Sequence, residues 1–278
     1  MKYLIFGRKE GWLAQKFGAY LEDSVISETD ITNLEAVRAE LDDKKPMIVI
    51  NAAGITGRPN IDWCDSNAAE TVAVNIAGPY NIAKACEERL LYLVHLSSGC
   101  IFQGDKGFTE EDKPEPPSFY SWSKYWAEQA ILSIKGLHVL IIRLRLPIDV
   151  VPNPRNLINK LVKYSQVIDS ENSITVIPDM LWVVKNLIDK GRIGIYHVVN
   201  PGSISPAKIM ELYKKIIDPT HTFKIIKDED LYSQDLATAK RSNCILNSDK
   251  LAFDGILLKP IDERIIEVLE EYKKNISI

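Results

Sequence analysis

The most constraining stretch of this chain is its beginning. A short apolar run over residues 2–6 is stopped by Gly7, and a helical pattern opens after Gly11. Strand, glycine loop, helix is the order a dinucleotide-type fold requires. One glycine permits the tight turn and a second lets backbone N–H groups approach a pyrophosphate. The helix N-terminus that follows favours negative charge. The third small position is Ala14, which still allows close helix–strand packing, and the spacing is one residue wider than G-x-x-G.

Further along, strand and helix patterns alternate. Residues 11–21 read as a helix, 25–27 as a brief extended piece and 33–42 as a helix, and Met47-Ile-Val-Ile50 as a buried parallel strand. Residues 68–89 read as two helices divided near Gly78-Pro79. Residues 91–96 form a strand that ends in Ser97-Ser98-Gly99. A loop over 105–118, a helix over 120–134 and a strand over 139–143 follow. This alternation predicts an α/β fold, a Rossmann-like doubly wound parallel sheet with right-handed crossovers. Beyond Pro147 the pattern loosens. Residues 1–147 are therefore expected to form the dinucleotide-binding core. Residues 148–278 should form mainly a smaller C-terminal, substrate-binding lobe, with some segments returning to the core.

Composition narrows the partners. A net charge of −4 without a block of basic residues argues against nucleic acid or an anionic membrane. No stretch approaches 18 apolar residues, and the first residues are too short for a secretory apolar region. Cys64, Cys86, Cys100 and Cys244 have neither paired nor metal-type spacing. Free thiols in a reducing, cytoplasmic compartment and no metal site are the expectation.

Cofactor choice turns on a few charges. A carboxylate about 20 residues past the first glycine suits NAD, and Glu28 and Asp30 fall in that range. Arg8 and Lys9, inside the glycine loop, are cations that suit a 2′-phosphate. NADP(H) is the preferred expectation, with NAD(H) left open.

Ketone reduction needs a hydride donor, a proton donor at the carbonyl oxygen, and a group that makes that donor acidic enough. Tyr-x-x-x-Lys on a helix puts an ammonium on the same face as a phenol, which should lower the phenol's pKa. The pattern occurs twice, at Tyr80–Lys84 and Tyr120–Lys124. Only Tyr120–Lys124 opens the helix after the strand ending in Ser97-Ser98, so both meet at the carboxyl edge where open α/β sheets bind ligands. Ser98 is the natural third member, a hydrogen-bond donor to the ketone. Tyr80–Lys84 reads as surface or packing.

Together with Asn51-Ala-Ala-Gly54, these segments resemble the extended short-chain dehydrogenase/reductases, specifically the dTDP-4-dehydrorhamnose reductases. The chain is still more similar to the bifunctional epimerase/reductases of nucleotide-rhamnose synthesis. The likeness is dense in residues 51–64 (Asn-Ala-Ala-Gly-Ile-Thr-Gly-Arg-Pro-Asn-Ile-Asp-Trp-Cys) and in Ser98-Gly-Cys-Ile-Phe102. It is equally dense in Arg143-Leu-Arg-Leu-Pro-Ile148 and Asn153-Pro-Arg-Asn-Leu-Ile-Asn-Lys160, and continues through Asn200-Pro-Gly202 and Arg241-Ser-Asn243. The resemblance implies a nucleotide-diphosphate 4-keto-6-deoxyhexose substrate, NADPH as hydride source, and Ser98, Tyr120 and Lys124 as the reductase triad. It also implies Cys100 and Lys160 as the epimerisation pair, since simple reductases carry Asp-Tyr in place of Gly99-Cys100. The chemistry is coherent, because protons on C3 and C5 flank the C4 ketone and their removal gives an enolate.

Cofactor contacts are expected from Gly7, Arg8, Lys9, Gly11, Trp12, Leu13, Asp30, Ile31, Asn51, Ala52, Ala53, Asn75, Tyr120 and Lys124. Substrate contacts are expected from Thr56, Arg58, Asn60, Trp63, Asn156, Arg241 and Asn243. Two alternatives stay open: a reductase without epimerase activity, and a catalytically silent NADP-binding regulatory subunit. A homodimer is admitted as the assembly.

Overall fold

The computed structural model describes residues 1–57 and 60–276. Ten strands are present among them: β1 (Tyr3–Phe6), β2 (Ser24–Ser27), β3 (Ile48–Asn51), β4 (Tyr92–Ser98) and β5 (Gly104–Phe108), then β6 (Val139–Leu144), β7 (Gln166–Ile168), β8 (Gly194–His197), β9 (Lys224–Ile226) and β10 (Cys244–Leu246). Six form one parallel sheet in the order β2-β1-β3-β4-β6-β8. The chain steps from β1 outward to β2, then returns past β1 to β3. The direction of winding therefore reverses between β1 and β3, and a crevice opens there at the carboxyl ends of the strands.

The residue pattern explains why the sheet is buried on both faces. Along β1, Tyr3 and Ile5 point into a core with Trp12, Phe17, Met180 and Val184. Leu4 and Phe6 point oppositely, into a core with Val37, Leu41, Ile82 and Ile131. Period-two side chains that are apolar at every position need a helix layer on each side. The layer over the first face includes Ile177–Asp189, and β8 completes the edge, so residues beyond 147 contribute to the main sheet. A second core, built around Ile148, Ile158, Ile204, Met210, Val268 and Leu269, supports the remaining C-terminal part.

Two local expectations are corrected. Residues 68–87 do not break at Gly78-Pro79. The helix runs on through a π turn, Ala73–Ala77, into Gly78–Glu87. Pro79 has no N–H for the carbonyl four residues back, which is where a wider turn is accommodated. Residues 105–118 are not wholly loop either. β5 pairs in parallel with β10, 136 or more residues away in sequence, a partner no local pattern reveals.

Candidate active site

The crevice is walled first by the glycine loop. A Cβ at Gly11 would lie 1.9 Å from the Gly7 carbonyl oxygen, and one at Gly7 would lie 2.9 Å from Ala14 Cβ and 3.3 Å from the Ala52 carbonyl carbon. The loop and the segment after β3 can thus meet only because both glycines lack side chains. Gly11 starts the Trp12–Tyr20 helix with no side-chain cap and no acidic residue in the first turn. Its first N–H groups are left for an outside acceptor. The Trp12 ring is buried in the core and Leu13 packs against that core, so any cofactor contact from these two is left to their backbone N–H groups. Ile31 is likewise buried, against Gly78.

The expected charges divide. Lys9 forms an exposed ion pair with Glu28 at 3.1 Å, so a phosphate there would compete with that carboxylate. Asp30 accepts from the N–H and hydroxyl of Thr32 (2.9 and 2.8 Å). Those bonds, with Arg8 nearby, hold its carboxyl below the usual range. Arg8 is exposed in the left-handed region, with φ of 58°.

The second wall is the segment after β3. Asn51 Oδ1 accepts from the Ala53 N–H (3.1 Å), and its amide donates to Nδ1 of His95 (3.1 Å). Ala52 and Ala53 are half-buried beside it. Asn75, in the π turn, accepts from the Ile55 N–H at 2.7 Å and donates to the Ile55 carbonyl and the Ser123 hydroxyl. It pins this loop to the Phe119–Leu132 helix, so its amide is committed within the protein.

The floor is the carboxyl end of β4. Ser98 Oγ accepts from the Cys100 N–H (3.1 Å), capping the short 3₁₀ turn Gly99–Ile101, and lies close enough to the Tyr120 phenol to influence it. A Cβ at Gly99 would meet Leu246 of β10 at 2.5 Å, so the missing side chain lets the Cys100 turn lie down on that strand. Tyr120 opens the Phe119–Leu132 helix, which Ser118 caps by accepting from the Ser121 N–H (3.2 Å). Lys124, one turn on, is buried and donates to the Leu96 carbonyl (2.9 Å). The expected lowering of the phenol is not realised. Burial pushes Tyr120 up, Cys100 and Cys64 push it further, and the Ser98 bond and Arg145 oppose them. Burial brings Lys124 down to about 8, against Glu128 and Cys100, which raise it. The competing pair sits apart: Tyr80 is 39% exposed, and Lys84 pairs with Glu87 at 2.8 Å on the surface.

Sequence reasoning missed the charges under this floor. Glu128, a further turn past Lys124, is fully buried and accepts from Arg143 (Nη2 at 2.6 Å, Nε at 3.0 and 3.2 Å) and from the Ser97 hydroxyl. Arg143 also donates to Nε2 of His197 (3.2 Å). The buried Arg145 donates through Nη1 to Cys100 Sγ at 2.7 Å, and through Nη2 to Asn172 and the Ser242 carbonyl. Two arginines at i and i+2 in and after an apolar strand were the available signal, since buried arginine needs built partners.

The proposed substrate residues scatter in role. Arg58 lies outside the described residues. Asn60 accepts from the Asp62 N–H at 2.8 Å, Thr56 is half-buried in the same loop, and Trp63 is half-buried in the short helix Asp62–Ser66 that follows. Gly57, with φ of 70°, would put a Cβ 2.5 Å from Trp63 Cβ. Arg241 grips Asp62 bidentately (2.6 and 3.1 Å), tying this loop to the C-terminal part. Asn156 accepts from Asp149 and Ile158 N–H groups and donates to the Asp149 and Val151 carbonyls. Asn243 donates to Asp228 and accepts from Asn172. For Asn156 and Asn243 the expectation of substrate contact is replaced by structural bonding that uses both ends of each amide. Lys160 is exposed on the Leu157–Leu161 turn of helix, and desolvation plus Arg155 hold it below the ordinary lysine range.

All four cysteines are free, with Cys100 half-buried and the others buried. Among the described residues no helix is long and apolar enough to cross a membrane, and no group of three or more His, Cys, Asp or Glu is placed to hold a metal.

A parallel sheet with an uncapped glycine-loop helix at its switch point, and Ser98, Tyr120 and Lys124 gathered at its carboxyl edge, defines the Rossmann-like reductase class. Within it, the chain belongs to the RmlD substrate binding domain family, which matches residues 1–274. It is 35% identical over 289 residues to a bifunctional dTDP-4-dehydrorhamnose 3,5-epimerase/dTDP-4-dehydrorhamnose reductase of Arabidopsis thaliana, covering 99% of this chain and 95% of that protein. The crystal structure of the L780 UDP-rhamnose synthase from Acanthamoeba polyphaga mimivirus superposes with a TM-score of 0.90 at 31% identity, covering 98% of this chain and 99% of the other. The dTDP-4-dehydrorhamnose reductase of Bacillus anthracis in complex with NADP shares the fold, with a TM-score of 0.84 at 24% identity, covering 98% and 99% of the two chains.

Proposed function

We propose that this protein reduces the C4 ketone of a nucleotide-diphosphate 4-keto-6-deoxyhexose with NADPH, after epimerising the sugar at C3 and C5, to give a nucleotide-6-deoxysugar such as nucleotide-L-rhamnose. The observation that carries the reading is the single cluster at the end of β4. There Ser98 accepts from the Cys100 turn, and Tyr120 and Lys124 lie one helical turn apart on the helix that packs against both β4 and that turn. The close relatives named as a bifunctional epimerase/reductase and a UDP-rhamnose synthase support the same chemistry.

The residues present fit the cofactor. The Gly7–Gly11 loop leaves a cradle that any Cβ would fill, and the uncapped N–H groups after Gly11 suit a pyrophosphate. Arg8, rather than the Glu28-paired Lys9, is the cation for a 2′-phosphate. When bound there, NADPH supplies the hydride for C4. Ser98 and Tyr120 bond the ketone oxygen, and Tyr120 donates its proton as the alkoxide forms. Lys124, one helical turn on and bonded to the Leu96 carbonyl, contributes a buried positive charge that partly offsets the cost burial places on the phenolate.

Epimerisation uses the same oxygen-binding pair. The Cys100 thiolate takes a proton from C3 or C5, the C–H electrons become an enolate, and Ser98 and Tyr120 hold the negative oxygen. The Lys160 ammonium returns a proton to the opposite face. Proton exchange with solvent then resets thiol and amine. A lysine below its ordinary range suits an acid that must release its proton near neutrality.

A reductase without epimerase activity is the second reading, favoured by Lys160 being exposed with Arg155 as its charged neighbour. The experiment that decides is product identification by NMR after incubation with NADPH and UDP- or dTDP-4-keto-6-deoxyglucose. An L-configured 6-deoxy product supports the full reading. No turnover of these sugars with reduction of one supplied already epimerised leaves the reductase alone, and no NADPH oxidation with any of them refutes both.

A further inference from the structure

We propose that Arg145 is the positioning residue of the Cys100 sulfur, holding it in place and balancing the negative charge it carries as a base. The inference rests on Cys100 acting as the proton acceptor. Arg145 follows β6 directly, and its guanidinium is anchored on three sides. Nη1 donates to Cys100 Sγ at 2.7 Å, and Nη2 donates to Asn172 Oδ1 and the Ser242 carbonyl. The backbone is fixed as well, since the Arg145 N–H donates to Thr175 Oγ1 at 2.9 Å. The residue is only 2% exposed, and Nε has no partner among the described residues.

Among the described residues no carboxylate pairs with this buried cation. Its neighbours are neutral amide and carbonyl acceptors and two thiols, Cys100 and the buried Cys244, with the Tyr120 phenol alongside. Arg143, two residues earlier, is by contrast neutralised by Glu128. A buried guanidinium without a carboxylate is costly unless an anion completes it. Here the group in contact and reachable from solvent is the Cys100 sulfur, which is half-buried at the crevice. In the proton-transfer step the thiolate gains H⁺ and the substrate oxygen gains the charge. Arg145 thus balances the sulfur before transfer.

The wild-type test compares alkylation of Cys100 by iodoacetate and iodoacetamide, followed by peptide mass spectrometry at pH 7. A sulfur against a cation should favour the anionic reagent, raising the iodoacetate-to-iodoacetamide rate ratio at least severalfold above that of free glutathione. A ratio at or below that of glutathione overturns the proposal without requiring any variant to fold. Arg145→Met should lose solvent-deuterium incorporation at C3 and C5 by roughly 10- to 100-fold, the range for a lost charged hydrogen bond. It should still reduce a sugar supplied already epimerised, and Arg145→Lys should recover a substantial part of the exchange. Equal loss of both half-reactions in a folded Arg145→Met, or no recovery in Arg145→Lys, means that Arg145 is merely structural. Cys100→Ser separates the two ideas. If it keeps exchange, the base assignment fails. If it loses exchange while Arg145→Met keeps it, only the role of Arg145 fails.

Discussion

The buried pair beneath the catalytic helix offers the sharpest test of how the site is supported. Glu128→Gln preserves shape but removes the charge opposite Arg143, which donates to it from Nη2 at 2.6 Å and from Nε at 3.0 and 3.2 Å. Both side chains are essentially excluded from water, at 2% and 0% exposure. Removing one member of such a pair leaves a buried charge uncompensated, which costs about 3–5 kcal/mol. At about 2–4 °C per kcal/mol, the range for chains of about 150–250 residues and an upper bound for these 278, Tm should fall by up to roughly 6–20 °C. Urea denaturation and calorimetry measure this directly, and replacing both partners, Glu128→Gln with Arg143→Met, should restore most of the loss. The charge also reaches the chemistry. Glu128 raises Lys124, which burial has brought to about 8, so its removal should lower Lys124 further and move the alkaline limb of kcat for ketone reduction to lower pH. A loss below about 1 kcal/mol, or a double variant no more stable than the single one, would refute the view that this pair is a coupled buried support.

Three further outcomes follow from the same geometry. Gly11→Ala places a Cβ 1.9 Å from the Gly7 carbonyl and must distort the loop, so NADPH affinity by fluorescence titration should fall at least tenfold, by about 1.4 kcal/mol or more. Arg8→Ala should weaken NADPH by roughly 10- to 100-fold while barely changing NADH, whereas Lys9→Ala, whose partner is Glu28, should change both little; equal losses for the two cofactors in Arg8→Ala would defeat the assignment. His197, pushed down to about 3 by burial and Arg143, stays neutral when folded, so below about 6.5 the unfolded chain takes the proton first and stability falls by about 1.4 kcal/mol per pH unit; His95 is shifted in the same direction, and His197→Gln should remove one proton from the slope of stability between pH 6 and 4.5.

Much of the frame was legible in residue order. Runs such as Leu4-Ile-Phe6 and Ile48-Val-Ile50 are apolar at every position, which only a strand covered on both faces accommodates, and their alternation with helices requires a parallel sheet. Chain order alone separated Tyr120–Lys124 from Tyr80–Lys84, because only the former follows the strand ending in Ser98. Gly7 and Gly11 were legible because a missing Cβ is a local property.

What the tertiary structure alone decided is who partners whom. Lys9 looked free for a phosphate until β2 brought Glu28 to it. Asn75, Asn156 and Asn243 looked like ligand contacts, yet each staples loops together, since a buried amide must satisfy both of its ends. Tyr120 was expected to be made more acidic by its lysine, but burial outweighs that and the ammonium turns to the Leu96 carbonyl. The contact between Arg145 and Cys100 joins residues 45 apart, from the ends of neighbouring strands β4 and β6. The sequence by itself determined the sheet, the glycine loop and the Ser98–Tyr120–Lys124 order, because these follow from local periodicity and connection rules. Charge pairing and burial depend on crossovers that bring distant side chains together, so only the folded chain decided the electrostatics of the site.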